Sequence, residues 1–287
     1  MSVIQDSWKH EYITTNGVKL HYVTQGAGPL MLMLHGFPEF WYSWRHQIPE
    51  FAKYFQVVAL DLRGYNESDK PQKQSAYVMD EFIKDVEGVI KGLGYDKCIL
   101  VGHDWGGAIA WSFAYAHPEM VERLIILNLP HPAKFAQGLL TPQQLLRSWY
   151  IFLFQLPWLP EFLLQSSDFQ AIEKALQSTA VNKNAFTQAD LNAYKDAAAK
   201  RGALTAMLNY YRNSLQQFIS NKTWGILHVP TLMIWGENDA ALGKELTYDT
   251  GAYVKDLQIK YIPHCGHCVQ QEQPELVNQY IKEYLAL

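Results

Sequence analysis

An aspartate lies between two glycines in residues 102–106, where an apolar run meets a stretch rich in small residues. The run before it predicts a buried strand, and residues 106–117 predict a closely packed helix. A strand, a sharp glycine-flanked turn and a helix together form the nucleophile elbow, which exposes a reactive side chain at its tip. Asp104 at that tip would attack as a carboxylate and form an alkyl ester. Capping of the helix by Asp104 explains the same five residues equally well.

Hydrolysis of such an ester needs a general base whose tautomer is held by an acid. In chains with this elbow, the acid and then the base follow the nucleophile. Asp239 comes just after predicted strand 231–235, and His267 follows the next predicted strand. Parallel strands end at one edge of a sheet, so we expect these side chains to meet there. Glu237 is a rival for the acid, and each residue singly also fits a turn or cap.

Breakdown of the ester passes through an oxyanion, which backbone N–H groups can stabilise. One donor is expected from Trp105, the residue after the nucleophile. The other is expected from the turn after an earlier strand, here Phe37 in His35-Gly-Phe-Pro38. Glycine and proline also shape that turn, and the two roles are compatible.

The order of the elements predicts an α/β fold. Strand and helix signals alternate, which favours a mostly parallel sheet with helices on both faces. From residue 131 to residue 222 strand signals vanish, and helical stretches replace them at 171–179, 188–201 and 203–218. We therefore predict a core of residues 1–130 and 223–287, with residues 131–222 inserted as a helical cap.

Composition limits the partners. The 287-residue chain is 48% hydrophobic and 18% charged, with a net charge of −4 and no block of basic residues, so nucleic acid is not an expected partner. The most apolar window, residues 149–164, is shorter than the ~20 residues of a membrane span and contains two prolines. The N-terminus shows no apolar signal segment. We expect a soluble, cytoplasmic protein that needs no metal or cofactor.

The three cysteines are too few for a disulfide framework. Cys265-Gly-His-Cys268 has the spacing of a redox or metal motif, but it lies near the C-terminus and lacks a second ligand pair. Because these cysteines flank His267, we hypothesise that a Cys265–Cys268 disulfide would displace His267 and switch the site off.

Four motifs resemble those of the α/β-hydrolase-fold epoxide hydrolases. They are His35-Gly-Phe-Pro-Glu39 with Trp41-Tyr-Ser-Trp-Arg45, Asp61-Leu-Arg-Gly64, Gly102-His-Asp-Trp-Gly-Gly107, and His267 ahead of Gln270-Gln-Glu272. The resemblance spans nearly the whole chain. It implies the α/β-hydrolase fold, with an eight-stranded sheet and an inserted cap, and trans-addition of water to an epoxide, giving a vicinal diol.

The resemblance also implies two cap tyrosines that donate hydrogen bonds to the epoxide oxygen. Tyr150 matches the first, and Tyr211, directly ahead of Arg212, matches the second, with Tyr210 as its competitor. The expected partners are a small apolar epoxide and water, and a homodimer is possible. The aromatic side chains expected to line the substrate pocket are Trp41, Trp149, Phe152 and Phe154.

Two other functions fit parts of the pattern. A dehalogenase uses the same Asp–His–acid machinery, and Trp105 is compatible with holding a halide. Phe37, however, offers no side-chain donor for a halide, and a tyrosine pair suits an oxygen leaving group better. A non-catalytic binding protein of the same fold is the second alternative, since a fold does not imply activity. Aspartate at position 104 excludes a serine esterase at this elbow.

Overall fold

The computed structural model describes residues 8–218 and 223–287. Within them, eight strands form one sheet: β1 (Lys9–Thr15), β2 (Val18–Gln25), β3 (Leu30–Leu34), β4 (Gln56–Leu60), β5 (Cys98–His103), β6 (Val121–Leu127), β7 (Thr231–Gly236) and β8 (Leu257–Ile262). Their order is β1-β2-β4-β3-β5-β6-β7-β8. The β1–β2 and β2–β4 pairs are antiparallel, and every other neighbouring pair is parallel. The predicted eight-stranded, mostly parallel sheet is confirmed.

The helices are α1 (Ile48–Phe51), α2 (Met79–Gly92), α3 (Trp105–Ala116), α4 (Pro132–Gly138), α5 (Pro142–Arg147), α6 (Trp149–Leu153), α7 (Leu159–Thr179), α8 (Gln188–Ala199), α9 (Ala203–Phe218), α10 (Val269–Glu272) and α11 (Pro274–Leu285). Non-helical backbone at residues 166–169 interrupts α7. Helices α4 to α9 follow β6 and precede β7, where the sequence predicts the insertion. The predicted end of the cap at residue 222 lies outside the described residues, as do residues 1–7 of the N-terminal stretch.

The central strands are apolar because both of their faces are covered. β3, β5 and β7 are buried at every position, which is the pattern expected of parallel strands between two layers. β6 ends at Leu127, two residues earlier than its apolar run suggests. Asn128 explains the early end, since its φ of 41° is incompatible with an extended strand.

The turn between β5 and α3 is packed so closely that two of its glycines cannot carry a side chain. A Cβ on Gly106 would lie 2.1 Å from the carbonyl oxygen of Leu34, and one on Gly102 would lie 2.4 Å from that of Gly106. Both obstacles are backbone atoms, which cannot rotate aside. The glycines therefore allow α3 to begin against the ends of β3 and β5.

Within the described part of the chain, no helix combines the length and the apolarity that a membrane span requires.

We expect Gly106→Ala to lower the free energy of unfolding by about 3 kcal/mol, because the new methyl group would force the backbone of the turn apart. Urea denaturation measures the change. Gly251→Ala is the matched control, because its Cβ would meet nothing within 4 Å. An equal, small effect of both substitutions would contradict the close packing of the elbow.

Candidate active site

Asp104 occupies the tip of the elbow in a strained backbone conformation, with φ of 48° and ψ of −121°. It precedes α3 as its N-cap residue, but its side chain makes no capping hydrogen bond to that helix. Instead, Oδ1 accepts a hydrogen bond from the Phe37 N–H at 2.7 Å, and Oδ2 lies 3.5 Å from Nε2 of His267. Helix capping therefore does not explain this aspartate.

The acid, base and elbow residues predicted from the sequence meet at the carboxyl ends of the parallel strands. Nδ1 of His267 donates to Oδ2 of Asp239 at 2.6 Å, while Nε2 faces Asp104. Since Nδ1 carries a proton, the ring presents Nε2 to the elbow in one orientation. The rival acid Glu237 points elsewhere and pairs with Lys244.

Asp239 is held by contacts that the sequence did not reveal. Asn128 donates from Nδ2 to Oδ2 of Asp239 at 2.6 Å, and its own Oδ1 accepts from the Gly236 N–H at 3.0 Å. The N–H groups of Ala241 and Leu242 donate to Oδ1 of Asp239 at 2.8 Å and 3.0 Å. The sequence feature that could have identified Asn128 is its position directly after β6, on the same sheet edge as the other site residues.

Burial and charge set the protonation states of this cluster. Burial alone would lower the pKa of His267, but Asp239 and Asp104 outweigh it and hold that pKa well above its ordinary value. Burial likewise opposes ionisation of the two carboxyl groups, yet His267 keeps the pKa of each below its usual range. The free site therefore holds an imidazolium between two carboxylates.

A second buried pair supports the loop that carries His267. Nε2 of His103 donates to the backbone carbonyl of His267 at 3.0 Å, and Nδ1 lies 2.8 Å from Oε2 of Glu39. Gln271 donates to the other oxygen of Glu39 at 2.7 Å. These side chains are buried, so they link the turn after β3, the elbow and the His267 loop without solvent.

A cavity of about 740 Å³ opens beside Asp104, and both predicted tyrosines line it. The rings of Tyr150 and Tyr211 are 5.9 Å apart and nearly perpendicular. Burial is the main cause that raises the pKa of both phenols, and the negative charge of Asp104 is the second, so both phenols keep their protons. Tyr210 is a structural residue, because its hydroxyl donates to the backbone carbonyl of Arg63 at 2.6 Å.

Phe37 and Trp105, the predicted oxyanion donors, both adjoin Asp104. Phe37 already donates its N–H to Asp104. Trp105 is the first residue of α3 and lines the cavity. Its role as the second donor stays a prediction.

The predicted aromatic lining needs correction. Phe152 lines the cavity, whereas Trp149 is 62% exposed at the surface. Trp41 packs edge-on against Trp8 and donates its backbone N–H to Oδ1 of Asp61, so it belongs to another part of the core. Local sequence does not reveal which face of a short helix an aromatic residue occupies.

Phe154 takes a supporting position. Its ring packs edge-on against Phe37 and Tyr211, with centroids 5.6 Å and 5.0 Å apart. Phe154 therefore packs against two residues of the site but does not itself line the cavity.

Cys265 and Cys268 are free and buried beside His267. Burial raises the pKa of both thiols, which disfavours the reactive thiolate. The disulfide hypothesis stays untested, and the surroundings of these thiols argue against it. Among the residues described, no group of three or more His, Cys, Asp or Glu side chains is arranged to hold a metal ion.

Comparison with known proteins shows which sequences and folds this chain is similar to. Residues 29–274 match the family model described as alpha/beta hydrolase fold. Epoxide hydrolase 4 from Homo sapiens is 43% identical over 95% of this chain and 77% of that protein. AB hydrolase superfamily protein YfhM from Bacillus subtilis is 41% identical over 98% of this chain and 99% of its own. The Bacillus megaterium epoxide hydrolase, solved with an inhibitor, superposes with a TM-score of 0.91 at 37% identity, over 96% of this chain and 100% of that one.

The chain therefore belongs to the α/β-hydrolase fold family, with a mostly parallel sheet whose strand ends carry an elbow aspartate, a histidine and a second aspartate. Within that fold, the chain belongs to the epoxide hydrolase family.

We expect Asp239→Asn to lower the pKa of His267, because the substitution removes one of the two carboxylates that outweigh its burial. Titration of the His267 ring by NMR measures the shift. Glu237→Gln, in the same turn, is the matched control and should leave the pKa unchanged. An unaltered pKa in Asp239→Asn would mean that Asp239 does not orient and charge this ring.

Proposed function

We propose that the protein hydrolyses small apolar epoxides to vicinal diols through a covalent ester on Asp104. One observation carries the proposal: the Asp104 carboxylate has one oxygen on the Phe37 N–H and the other facing His267. The two phenols of Tyr150 and Tyr211 line the same cavity. This is the arrangement that attack on a carbon bearing an oxygen leaving group requires.

In the first step, Oδ2 of Asp104 attacks one ring carbon and the bond from that carbon to the epoxide oxygen breaks. Tyr150 and Tyr211 donate hydrogen bonds to the departing oxygen, and their stabilising effect grows as charge develops on it. The oxygen finally needs a proton. His267 begins the cycle protonated and can supply one through the tyrosines.

Formation of the ester prepares the base for the second step. The ester carries no charge, so His267 loses the attraction of Asp104 and keeps only that of Asp239. Its pKa falls, and the neutral ring can take a proton from water as that water attacks the ester carbonyl. Oδ1 becomes the oxyanion on the N–H groups of Phe37 and Trp105. Diol release restores the carboxylate and the imidazolium.

The residues between β6 and β7 contribute side chains to the proposed site. We propose that residues 131–222 act as a cap that carries Tyr150 and Tyr211 over the elbow, with Phe152 in the cavity wall. Membership of an epoxide hydrolase family supports an epoxide and water as the reacting partners. A cytoplasmic location and a homodimer stay predictions, and size-exclusion chromatography with light scattering tests the second.

The dehalogenase alternative shares Asp104, His267 and Asp239. It requires side-chain N–H donors around a halide, and of the residues weighed for that role only Trp105 lines this cavity. The phenols of Tyr150 and Tyr211 line the same cavity close to Asp104. Hydrogen bonds from two phenols suit an alkoxide that must also be protonated.

A panel of aryl and alkyl epoxides and haloalkanes tests the function. We expect diol from the wild type and at least ~10⁴-fold less from Asp104→Ala, because the ester cannot form without the carboxylate. Asp96→Ala, which removes an exposed carboxylate between α2 and β5, is the control and should stay active. Halide release without diol would favour the dehalogenase. Formation of neither diol nor halide would favour the non-catalytic alternative.

We expect His267→Gln to accumulate the ester, because alkylation proceeds while the base for hydrolysis is missing. Intact-protein mass spectrometry should show an increase by the mass of one epoxide, located to the peptide that contains Asp104. His264→Gln, an exposed histidine in the same loop, should turn over without accumulation. Absence of the adduct despite diol formation in wild type would contradict the covalent mechanism.

A further inference from the structure

The cavity extends from Asp104 along one face of α3. Trp105, Ala108 and Ser112 line it, and their spacing places them on the same side of the helix. At a rise of 1.5 Å per residue, Ser112 lies ~12 Å along the helix axis from Asp104. A volume of about 740 Å³ accommodates far more than an epoxide ring. The nucleophile therefore faces one part of an elongated space.

Aromatic residues from outside the catalytic cluster form a distal part of the wall. Trp224 and Tyr253 line the cavity, together with Pro132 and Ala133 at the start of α4. Trp224 comes just before β7, where the chain returns from the helical insertion to the sheet. The distal wall is thus assembled from the two segments that join the sheet to the insertion and, through Tyr253, from the segment before β8.

Two side chains behind this wall tie its parts together. Tyr115, one helical turn beyond Ser112 on α3, has its hydroxyl 2.9 Å from Nε2 of His131. The single proton of this hydroxyl is shared between the backbone carbonyl oxygens of Gly225 and Tyr253, each 3.1 Å away. The phenol of Tyr115 therefore connects α3 to the segment after β6, to the segment before β7 and to the segment before β8.

The direction of these hydrogen bonds is fixed. Nδ1 of His131 accepts from the Ala133 N–H at 3.2 Å, so it carries no proton. Nε2 must then carry the proton and donate it to the Tyr115 oxygen. Burial lowers the pKa of His131 to about 3, so this arrangement holds at any pH at which the protein would work.

The His131 ring also packs against the wall itself. It stacks on Tyr253 with centroids 4.6 Å apart and an interplanar angle of 7°. Trp224 meets it edge-on at 5.5 Å, and Tyr115 meets Trp224 edge-on at 4.8 Å. None of these groups takes part in the proposed chemistry, yet together they set the position of the two aromatic faces in the cavity.

We propose that Trp224 and Tyr253 form a distal subsite for the apolar arm of the epoxide, and that His131 and Tyr115 are positioning residues that hold this subsite at a fixed distance from Asp104. The inference deepens the proposed function and rests on it. It identifies the preferred substrates as epoxides that carry a long alkyl or aryl arm. Short epoxides can react at Asp104 but cannot reach Trp224.

The test compares 1,2-epoxydecane with 1,2-epoxybutane on the same enzyme preparations. We expect the wild type to prefer the longer substrate in kcat/KM. Trp224→Ala should reduce that preference ~10-fold, mainly through KM, because the arm contributes binding in ground and transition state alike. Trp224→Phe should restore most of it. Tyr115→Phe keeps the ring but removes the shared hydroxyl, and should reduce the preference ~3-fold or more.

The ratio separates specificity from folding, because a partly unfolded preparation loses activity on both substrates equally. Tyr54→Phe, an exposed tyrosine of the sheet domain, is the matched control and should leave the ratio unchanged. An equal loss on both substrates in Trp224→Ala and Tyr115→Phe, or no loss on either, would overturn the distal subsite while the proposed function stands. Diol from neither substrate in wild type would overturn both.

Discussion

The buried charge of His267 is the interaction on which the rest of the site depends. An imidazolium between two carboxylates inside a protein is stable only if every partner is in place, because removing one partner of a buried pair costs about 3–5 kcal/mol. Asn128 and two backbone N–H groups satisfy Asp239, and the Phe37 N–H satisfies Asp104. These donors follow the ends of three parallel strands: Phe37 follows β3, Asn128 follows β6, and Ala241 and Leu242 follow β7. The sheet therefore supplies the hydrogen-bond donors that stabilise these buried charges.

The same charge arrangement couples the two halves of the proposed reaction. Asp104 and Asp239 hold different positions relative to His267: one faces Nε2 at 3.5 Å and the other binds Nδ1 at 2.6 Å. Only the first is consumed when an ester forms. In the proposed reaction, the histidine therefore changes from acid to base because its neighbour changes charge, and this change requires no movement of the ring.

Residues in a turn or at the end of a strand could be predicted from the sequence, whereas residues whose role depends on orientation could not. Asp104, Asp239 and His267 follow apolar runs, and strand order alone brings them to one edge. Tyr211 was separable from Tyr210 only by resemblance to a family, and the structure supplies the physical reason, since the two point to different sides of α9. Trp41 and Trp149 were misplaced because composition does not show which aromatic residue faces a cavity. Asn128 and Tyr115 were missed because their hydrogen bonds join segments over a hundred residues apart.

α3 unites the chemistry with substrate selection. Its first residue follows Asp104, its middle turns line the cavity, and its last turn carries Tyr115, whose hydroxyl contacts the carbonyls of Gly225 and Tyr253. A helix cannot stretch, so the distance from Asp104 to that wall is set by the number of residues between them. Gly102 and Gly106 fix the start of the helix against β3 and β5, and the contacts of Tyr115 fix its end. With the proposed distal subsite, a change in substrate length would require a change in the side chains of the wall, because the helix that sets the distance also positions Asp104.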